Sequence, residues 1–329
     1  MNSVIPACPA PLEPRRPNHP PPPKSCDTHA HVFGPSDRFA YAAERSYTPP
    51  DAPLAKYLGM LDTLGFERGV LVQGSAHGRD NSAMLDALER TPQRLRGVAV
   101  ADESVSPAEL RRWDKLGVRA LRFNHFFRGG QLHYRGGVTL ETARKLSSLM
   151  KDLGWHLQLW IDCKDLPDTI PLLDAIGLPV LVDHMGRTDA RAGTGTPGFQ
   201  SLLRYVGDGR GFVKVSGAHR LSINAPDYPE ARPFHEALVR ANPDHIVWGS
   251  DWPHPRIEGE MPNAGHLYEL FHAWTLDAGV RHRILVDNPA RLYGFPQFFV
   301  IGRATMRRLA FACPNGQFWL SPEGATARG

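Results

Sequence analysis

Between Cys26 and Tyr293 the chain alternates short apolar runs with stretches whose apolar residues recur every three to four positions. Runs of four to seven residues bounded by Gly, Pro or Asn read as buried strands, and the 3.6-residue period reads as amphipathic helices. The first run ends in Cys26-Asp27-Thr28-His29-Ala30-His31 and leads into a long loop, 33–53. A helix is predicted over 54–64, closed by Gly65, and then a strand over 68–73. The alternation continues with helix 81–89 and strand 97–101, helix 107–116 and strand 118–124, then helix 140–153 and strand 155–161. Helix 167–176 precedes strand 179–183, helix 198–206 precedes strand 211–216, and helix 234–241 precedes strand 245–249. Helical segments at 265–279 and 281–285 and a turn at 289–293 complete the periodic part. Eight such alternations with short connections predict an α/β fold with a parallel sheet, and eight strands close a (β/α)8 TIM barrel.

The periodicity fails at both ends. Residues 1–24 are rich in proline, ending in Pro20–Pro23, and are expected to form an extended or disordered arm. The barrel is expected to occupy 25–295 as a single domain. Residues 296–329 form an extension of unassigned role, with Phe298–Ile301 and Gly316–Leu320 as candidate short strands.

Composition narrows the class. Hydrophobic residues make up 42% of the chain, ample for a large core. The formal net charge is only +4 and no Lys/Arg block occurs, which argues against a nucleic-acid surface. No run approaches the ~20 apolar residues that span a bilayer, and the N-terminus lacks the apolar core of a signal peptide. The four cysteines lie far apart with no CxxC pair, so neither a disulfide framework nor a zinc knuckle is expected. A cytoplasmic enzyme, with no nucleic-acid or membrane partner, is the expectation; the arm and the tail are candidate surfaces for a homodimer.

In a (β/α)8 barrel the C-terminal ends of the strands converge on one pocket. Those ends carry His29, His31, Ser75, Arg122, Asn124, His184, Ser216, Arg220 and Asp251. His29 and His31, two residues apart, would share one face of a strand, where paired imidazoles can bind a metal, polarise a carbonyl or relay a proton. Arginines at the same rim suit carboxylates, which a guanidinium grips with two hydrogen bonds.

HxH after the first strand, His184 after the sixth and Asp251 after the eighth resemble the amidohydrolase superfamily, over about residues 26–295. Six segments narrow the resemblance to its lactonase branch: Tyr47-Thr-Pro49, Val72–Asn81, Arg122-Phe-Asn124, Val182–Arg187, Trp248–Pro255 and Asn288–Tyr293. The resemblance implies hydrolysis of a planar six-membered lactone bearing two carboxylates, in the breakdown of lignin-derived aromatics. On that basis Asp251 is the expected general base, and His29, His31 and His184 polarise the ring carbonyl. Arg122, Arg128 and Arg220 clamp the carboxylates, assisted by Tyr47 and Ser75. Trp160 packs against the ring, and His254 is a further expected substrate contact; His254 and His77, at the same mouth, read either as partners that fix tautomers or as solvent-exposed loop histidines. His125 and His133 would line the entrance.

Binuclear members carry a bridging Lys or Glu at the fourth strand and a His at the fifth. Here those strands end in Arg122-Phe-Asn124 and Leu159–Asp162, with His156 at the far end of its strand. A binuclear centre therefore lacks its bridge and a terminal ligand, and the lactonase resemblance implies that no cofactor is required, the alternative being one zinc or manganese on His29, His31, His184 and Asp251. Two other chemistries use the same residues: a zinc lactonase for a sulfonated muconolactone, and a mononuclear-zinc decarboxylase of an aromatic acid. A binding module without catalysis would be expected to lack Asp251 or the histidines, and they are present.

Overall fold

The computed structural model describes residues 5–296 apart from 129–130, 133–136 and 258, and describes 128, 131 and 132 by their backbone alone. Eight parallel strands form one sheet in chain order: β1 (Cys26–Ala30), β2 (Arg68–Val72), β3 (Leu95–Ala99), β4 (Val118–His125), β5 (His156–Ile161), β6 (Val180–Val182), β7 (Gly211–Lys214) and β8 (Ile246–Val247). The last strand returns to the first. Thr28 N–H donates to the Trp248 carbonyl (3.0 Å), Asp251 N–H to the His29 carbonyl (2.8 Å) and His31 N–H to the Trp252 carbonyl (2.8 Å). This seam closes the barrel.

Helices α1 (Leu54–Leu64), α2 (Ser82–Arg90), α3 (Pro107–Leu116), α4 (Leu140–Asp152), α5 (Leu166–Ile176) and α6 (Pro197–Gly207) alternate with the strands. After β7 come a single turn, α7 (Ala218–Leu221), and α8 (Arg232–Ala241); α9 (Ala264–Trp274) follows β8. The local chemistry fits. Ser106 accepts the Glu109 N–H (3.1 Å) at the start of α3, where Pro107 fills the first helical position. Gly65 ends α1 at φ 83, a conformation that glycine adopts without strain.

Strand parity sorts the residues into two cores. Val70, Val72, Val98, Ala120, Leu181, Phe212 and Val247 point inward and fill the lower barrel, with Tyr293 and Phe295 beneath them. Their neighbours Leu71, Leu121, Leu157, Leu159, Val182 and Val213 point outward against the helices.

Several expected boundaries shift. The third strand is 95–99 rather than 97–101, because Val100 N–H bonds the Asn81 side chain (3.0 Å) instead of a neighbouring strand. The eighth strand keeps two residues, since Trp248 turns its carbonyl to Thr28. The helix expected over 265–279 ends at Trp274, and Asp277 caps a new one through Val280 N–H (2.8 Å). The proline-rich arm runs extended and is tied down: Cys8 N–H bonds the Thr48 carbonyl (2.8 Å), and Asn263 and Glu269 of the α9 region bond Arg15, Asn18 and His19. Among the described residues no helix is long and apolar enough to cross a membrane. The expected tail strands lie outside the described residues.

His235 on α8 is buried between Phe271 and Trp274 of α9, with Nε2 2.7 Å from Thr275 Oγ1. Burial, helped by Arg232, lowers its pKa from 6.5 to about 3. The unfolded chain therefore binds a proton on this residue between pH 6.5 and 3 that the folded chain does not, so His235 stabilises less as pH falls through that window. His235→Gln should flatten the loss of stability between pH 6.5 and 4.5 by up to roughly 1.4 kcal/mol per pH unit, read by urea unfolding at each pH.

Candidate active site

The site is assembled at the seam. From Cys26, which faces the barrel interior, strict alternation would turn His29 and His31 outward. The register between β1 and β2 shifts between Asp27 and Ala30, and this bulge brings both histidines in while Ala30 joins the outer core. Asp27, just below, accepts from Ser250 N–H (2.8 Å), Ser250 Oγ–H (2.7 Å) and Tyr57 Oη–H (3.2 Å), pinning the two chain segments together. Gly249 makes the approach feasible: a Cβ there would lie 2.6 Å from the His29 Cβ and 2.7 Å from its nitrogen.

Asp251 Oδ1 faces three imidazoles, 3.8 Å from His29 Nε2, 3.7 Å from His31 Nε2 and 3.8 Å from His184 Nε2. These gaps exceed a hydrogen bond and suit an intervening water or ion. Asp251 Oδ2 is occupied by Arg220 Nε and by His219 Nε2 (3.1 Å). Burial alone would raise the Asp251 pKa, but Arg220, His184 and the His219 hydrogen bond hold the carboxylate well below its ordinary range. His31 Nδ1 donates to the Val72 carbonyl (2.8 Å), and His184 Nδ1 lies 2.9 Å from Ser216 Oγ. His184 (φ 49), Asp251 (φ 64) and His254 (φ 59) all adopt left-handed backbone, strain of the kind that gathers at functional sites.

A second polar layer lies below. Asp183 Oδ2 accepts from Arg122 Nε (3.1 Å) and Gln158 Nε2 (3.1 Å), with Arg122 Nη2 at 3.0 Å. Its Oδ1 lies 3.4 Å from Lys214 Nζ and 3.3 Å from His29 Nδ1. Lys214 is fully buried, and burial lowers its pKa to about 8 against the pull of Asp183. Burial and the Lys214 charge push His29 down to about 3, so its ring is neutral.

The remaining expected residues fall nearby. Tyr47 and Ser75 bond each other (3.1 Å). Trp160 stacks on Phe126 (5.0 Å) with the Arg122 guanidinium 5.5 Å from its ring. Arg122 and Arg220, expected as carboxylate clamps, each already hold an aspartate, though both keep 12% of the side chain exposed. His254 is buried with neither ring nitrogen hydrogen-bonded, edge-on to His219. His77 Nδ1 lies 3.0 Å from the Ala40 carbonyl and its ring stacks on Phe33. Arg128 lies in a two-residue strand, 127–128, paired antiparallel with 131–132 and is described by its backbone alone; His133 lies outside the described residues. Sequence reasoning missed Asp183, Gln158, Lys214 and His219. Lys214 could have been found, being a lone charge on the inward parity of an apolar strand.

Residues 26–295 match the family model described as Amidohydrolase, and the chain belongs to that family. It is 37% identical to the 2-pyrone-4,6-dicarboxylate hydrolase of Comamonas testosteroni, over 85% of this chain and 93% of that one. It is equally 37% identical to the 4-sulfomuconolactone hydrolase of Rhizobium radiobacter, over 82% and 89%. A putative 2-pyrone-4,6-dicarboxylic acid hydrolase from Pseudomonas putida superimposes with a TM-score of 0.72 at 37% identity, covering 84% of this chain and 99% of that structure.

The expectation that no cofactor is required is overturned. An amidohydrolase of the same fold from Burkholderia multivorans was solved with bound zinc (TM-score 0.62, 18% identity, 83% and 99% coverage). In this chain the donor atoms of His29, His31 and Asp251, and those of His29, Asp183 and His184, lie within 4.8 Å of one another in each group. His29 Nε2 is buried without a hydrogen-bond partner and is aimed at the centre of the site. These N/O donors fit one divalent ion. The absent fourth-strand bridge argued against a binuclear centre but says nothing against a single ion.

Two substitutions test this architecture. Asp183→Ala leaves the buried Lys214 and the largely buried Arg122 without their counter-charge and should cost about 3–5 kcal/mol in denaturant unfolding. Gly249→Ala should force the seam apart; a variant with unchanged melting temperature and unchanged activity would contradict the close packing on His29.

Proposed function

We propose that the protein hydrolyses a lactone bearing anionic substituents, with 2-pyrone-4,6-dicarboxylate as substrate. The observation that carries this reading is the buried Asp251 carboxylate, kept ionised by Arg220 and turning one oxygen toward three imidazole nitrogens. The 37% identity to lactone hydrolases supports it.

In this reading a water held at Asp251 Oδ1 gives up a proton to that oxygen as its own oxygen adds to the ring carbonyl carbon. The negative charge developing on the carbonyl oxygen is met by imidazole N–H, one such donor being worth ~3 kcal/mol. The ring C–O bond then breaks, the ring oxygen leaves as an enolate, and reprotonation gives an enol or keto tricarboxylate. A divalent ion on His29, His31 and Asp251, or on His29, Asp183 and His184, would supply Lewis-acid polarisation of the same carbonyl. Arg122, Arg128 and Arg220 are assigned to the substrate's carboxylates, with Tyr47, Ser75, Trp160 and His254 completing the pocket.

The identical figure for the sulfomuconolactone relative favours a second reading, since a sulfonate also accepts guanidinium hydrogen bonds. Loss of pyrone absorbance measured against turnover of 4-sulfomuconolactone decides between them: the first reading expects the pyrone to have the higher kcat/KM, and the reverse order selects the second. Asp251→Asn should lower kcat by about 10²–10⁴ with a far smaller change in KM; near-normal kcat would remove Asp251 as the base. Ring opening creates a third carboxylate and releases a proton, so ring closure should become measurable as pH falls, and hydrolysis to completion at pH 6 would contradict this.

A further inference from the structure

Lys214 is used by none of these steps, yet it is a fully buried ammonium at the floor of the site. An ammonium has three N–H donors and no acceptor, and buried donors are almost always satisfied. The structure gives Nζ three neighbours: Gln158 Oε1 at 2.9 Å, His29 Nδ1 at 3.2 Å and Asp183 Oδ1 at 3.4 Å. The Gln158 amide is oriented by the same logic, its oxygen toward Lys214 and its nitrogen toward Asp183.

His29 Nδ1 lies between two groups that demand opposite things of it. Asp183 Oδ1, 3.3 Å away, can only accept from it, whereas Lys214 can only donate to it. A proton on Nδ1 would leave one N–H of a buried cation without an acceptor. A bare Nδ1 gives that N–H an acceptor, while Asp183 keeps its ion pair with Lys214 (3.4 Å) and its hydrogen bonds from Arg122 and Gln158. Leaving a charged donor unpaired is the more costly choice.

We infer that Lys214 is a positioning residue that selects the tautomer of His29, placing the ring proton on Nε2 where it points into the site. In its neutral form His31 is set the other way, because its Nδ1 donates to the Val72 carbonyl and so leaves Nε2 bare. The two histidines of the HxH pair thus offer unlike faces: His29 an N–H suited to a carbonyl oxygen, His31 a lone pair suited to a water proton or a metal. Lys214 also governs whether the His29 lone pair is available to join His31 and Asp251 around an ion. The role of His29 toward a carbonyl rests on the lactonase reading; its tautomer does not.

The test is two-bond ¹H–¹⁵N NMR of full-length protein labelled with ¹⁵N-histidine and treated with chelator, with His29→Gln identifying the signals. The expected spectrum shows His29 protonated on Nε2 and His31 protonated on Nδ1. Lys214→Met, close in volume and uncharged, should move the His29 proton to Nδ1, where Asp183 accepts it, and should tighten zinc binding at least tenfold by calorimetry. A wild-type His29 protonated on Nδ1 overturns the inference, and so does a Lys214→Met protein whose His29 proton has not moved. Tighter zinc binding with an unmoved proton reflects loss of charge repulsion and overturns it as well. If Lys214→Met does not fold, the wild-type spectrum decides alone. Absence of pyrone turnover would count against the substrate and leave the tautomer result standing.

Discussion

The structure depends on one junction, the grip of the Asp27 carboxylate on Ser250 across the gap between the first and last strands. β8 is only two residues long, too short to hold a barrel shut by itself. The closing hydrogen bonds come instead from the loop beyond it, and the same loop delivers Asp251. Barrel closure and assembly of the site are one event, so a change that loosens the seam also moves the base relative to the histidines. Gly249 belongs to this constraint, because its lack of a side chain lets the last strand lie against His29.

Above an apolar floor, the barrel interior carries an unusual stack of charge. Taking an ion out of water costs several kcal/mol, which is offset only by close and complete pairing. Asp183 is the centre of that pairing, between Arg122 on one oxygen and Lys214 on the other. The arrangement contributes little that an apolar core could not contribute to stability. Its evident effect is directional: it fixes the His29 ring, keeps it neutral and leaves its outer nitrogen facing Asp251.

Much of this was legible in the chain. The alternation of periods predicted all eight strands, and strand-end position picked out His29, His31, His184 and Asp251. The bulge in β1 was not legible, since simple alternation places Cys26, Thr28 and Ala30 on one face and the histidines on the other. Nor was the pairing of Arg122 with Asp183 or of Arg220 with Asp251: sequence names the arginines but not which carboxylate each one meets. His219 was passed over because it sits on a one-turn helix with no periodicity to mark it. The metal expectation failed for a different reason. The metal-free expectation rests on the lactonase resemblance and on the Arg122 charge at the rim, whereas the donors for a single ion, His29, His31, His184 and Asp251, lie together in the structure.

The seam joins residues far apart in the chain: Thr28 and the Trp248 carbonyl it bonds are separated by 220 positions. Loop closure over that span costs only slightly more than over half of it, about 0.6 kcal/mol per doubling, so the distance is no thermodynamic obstacle. It does set an order of events during synthesis. The histidines leave the ribosome early and stay without their carboxylate until the last strand and its loop have emerged. A sheet formed before that point has two exposed edges, so catalytic competence arrives with the same contacts that remove those edges.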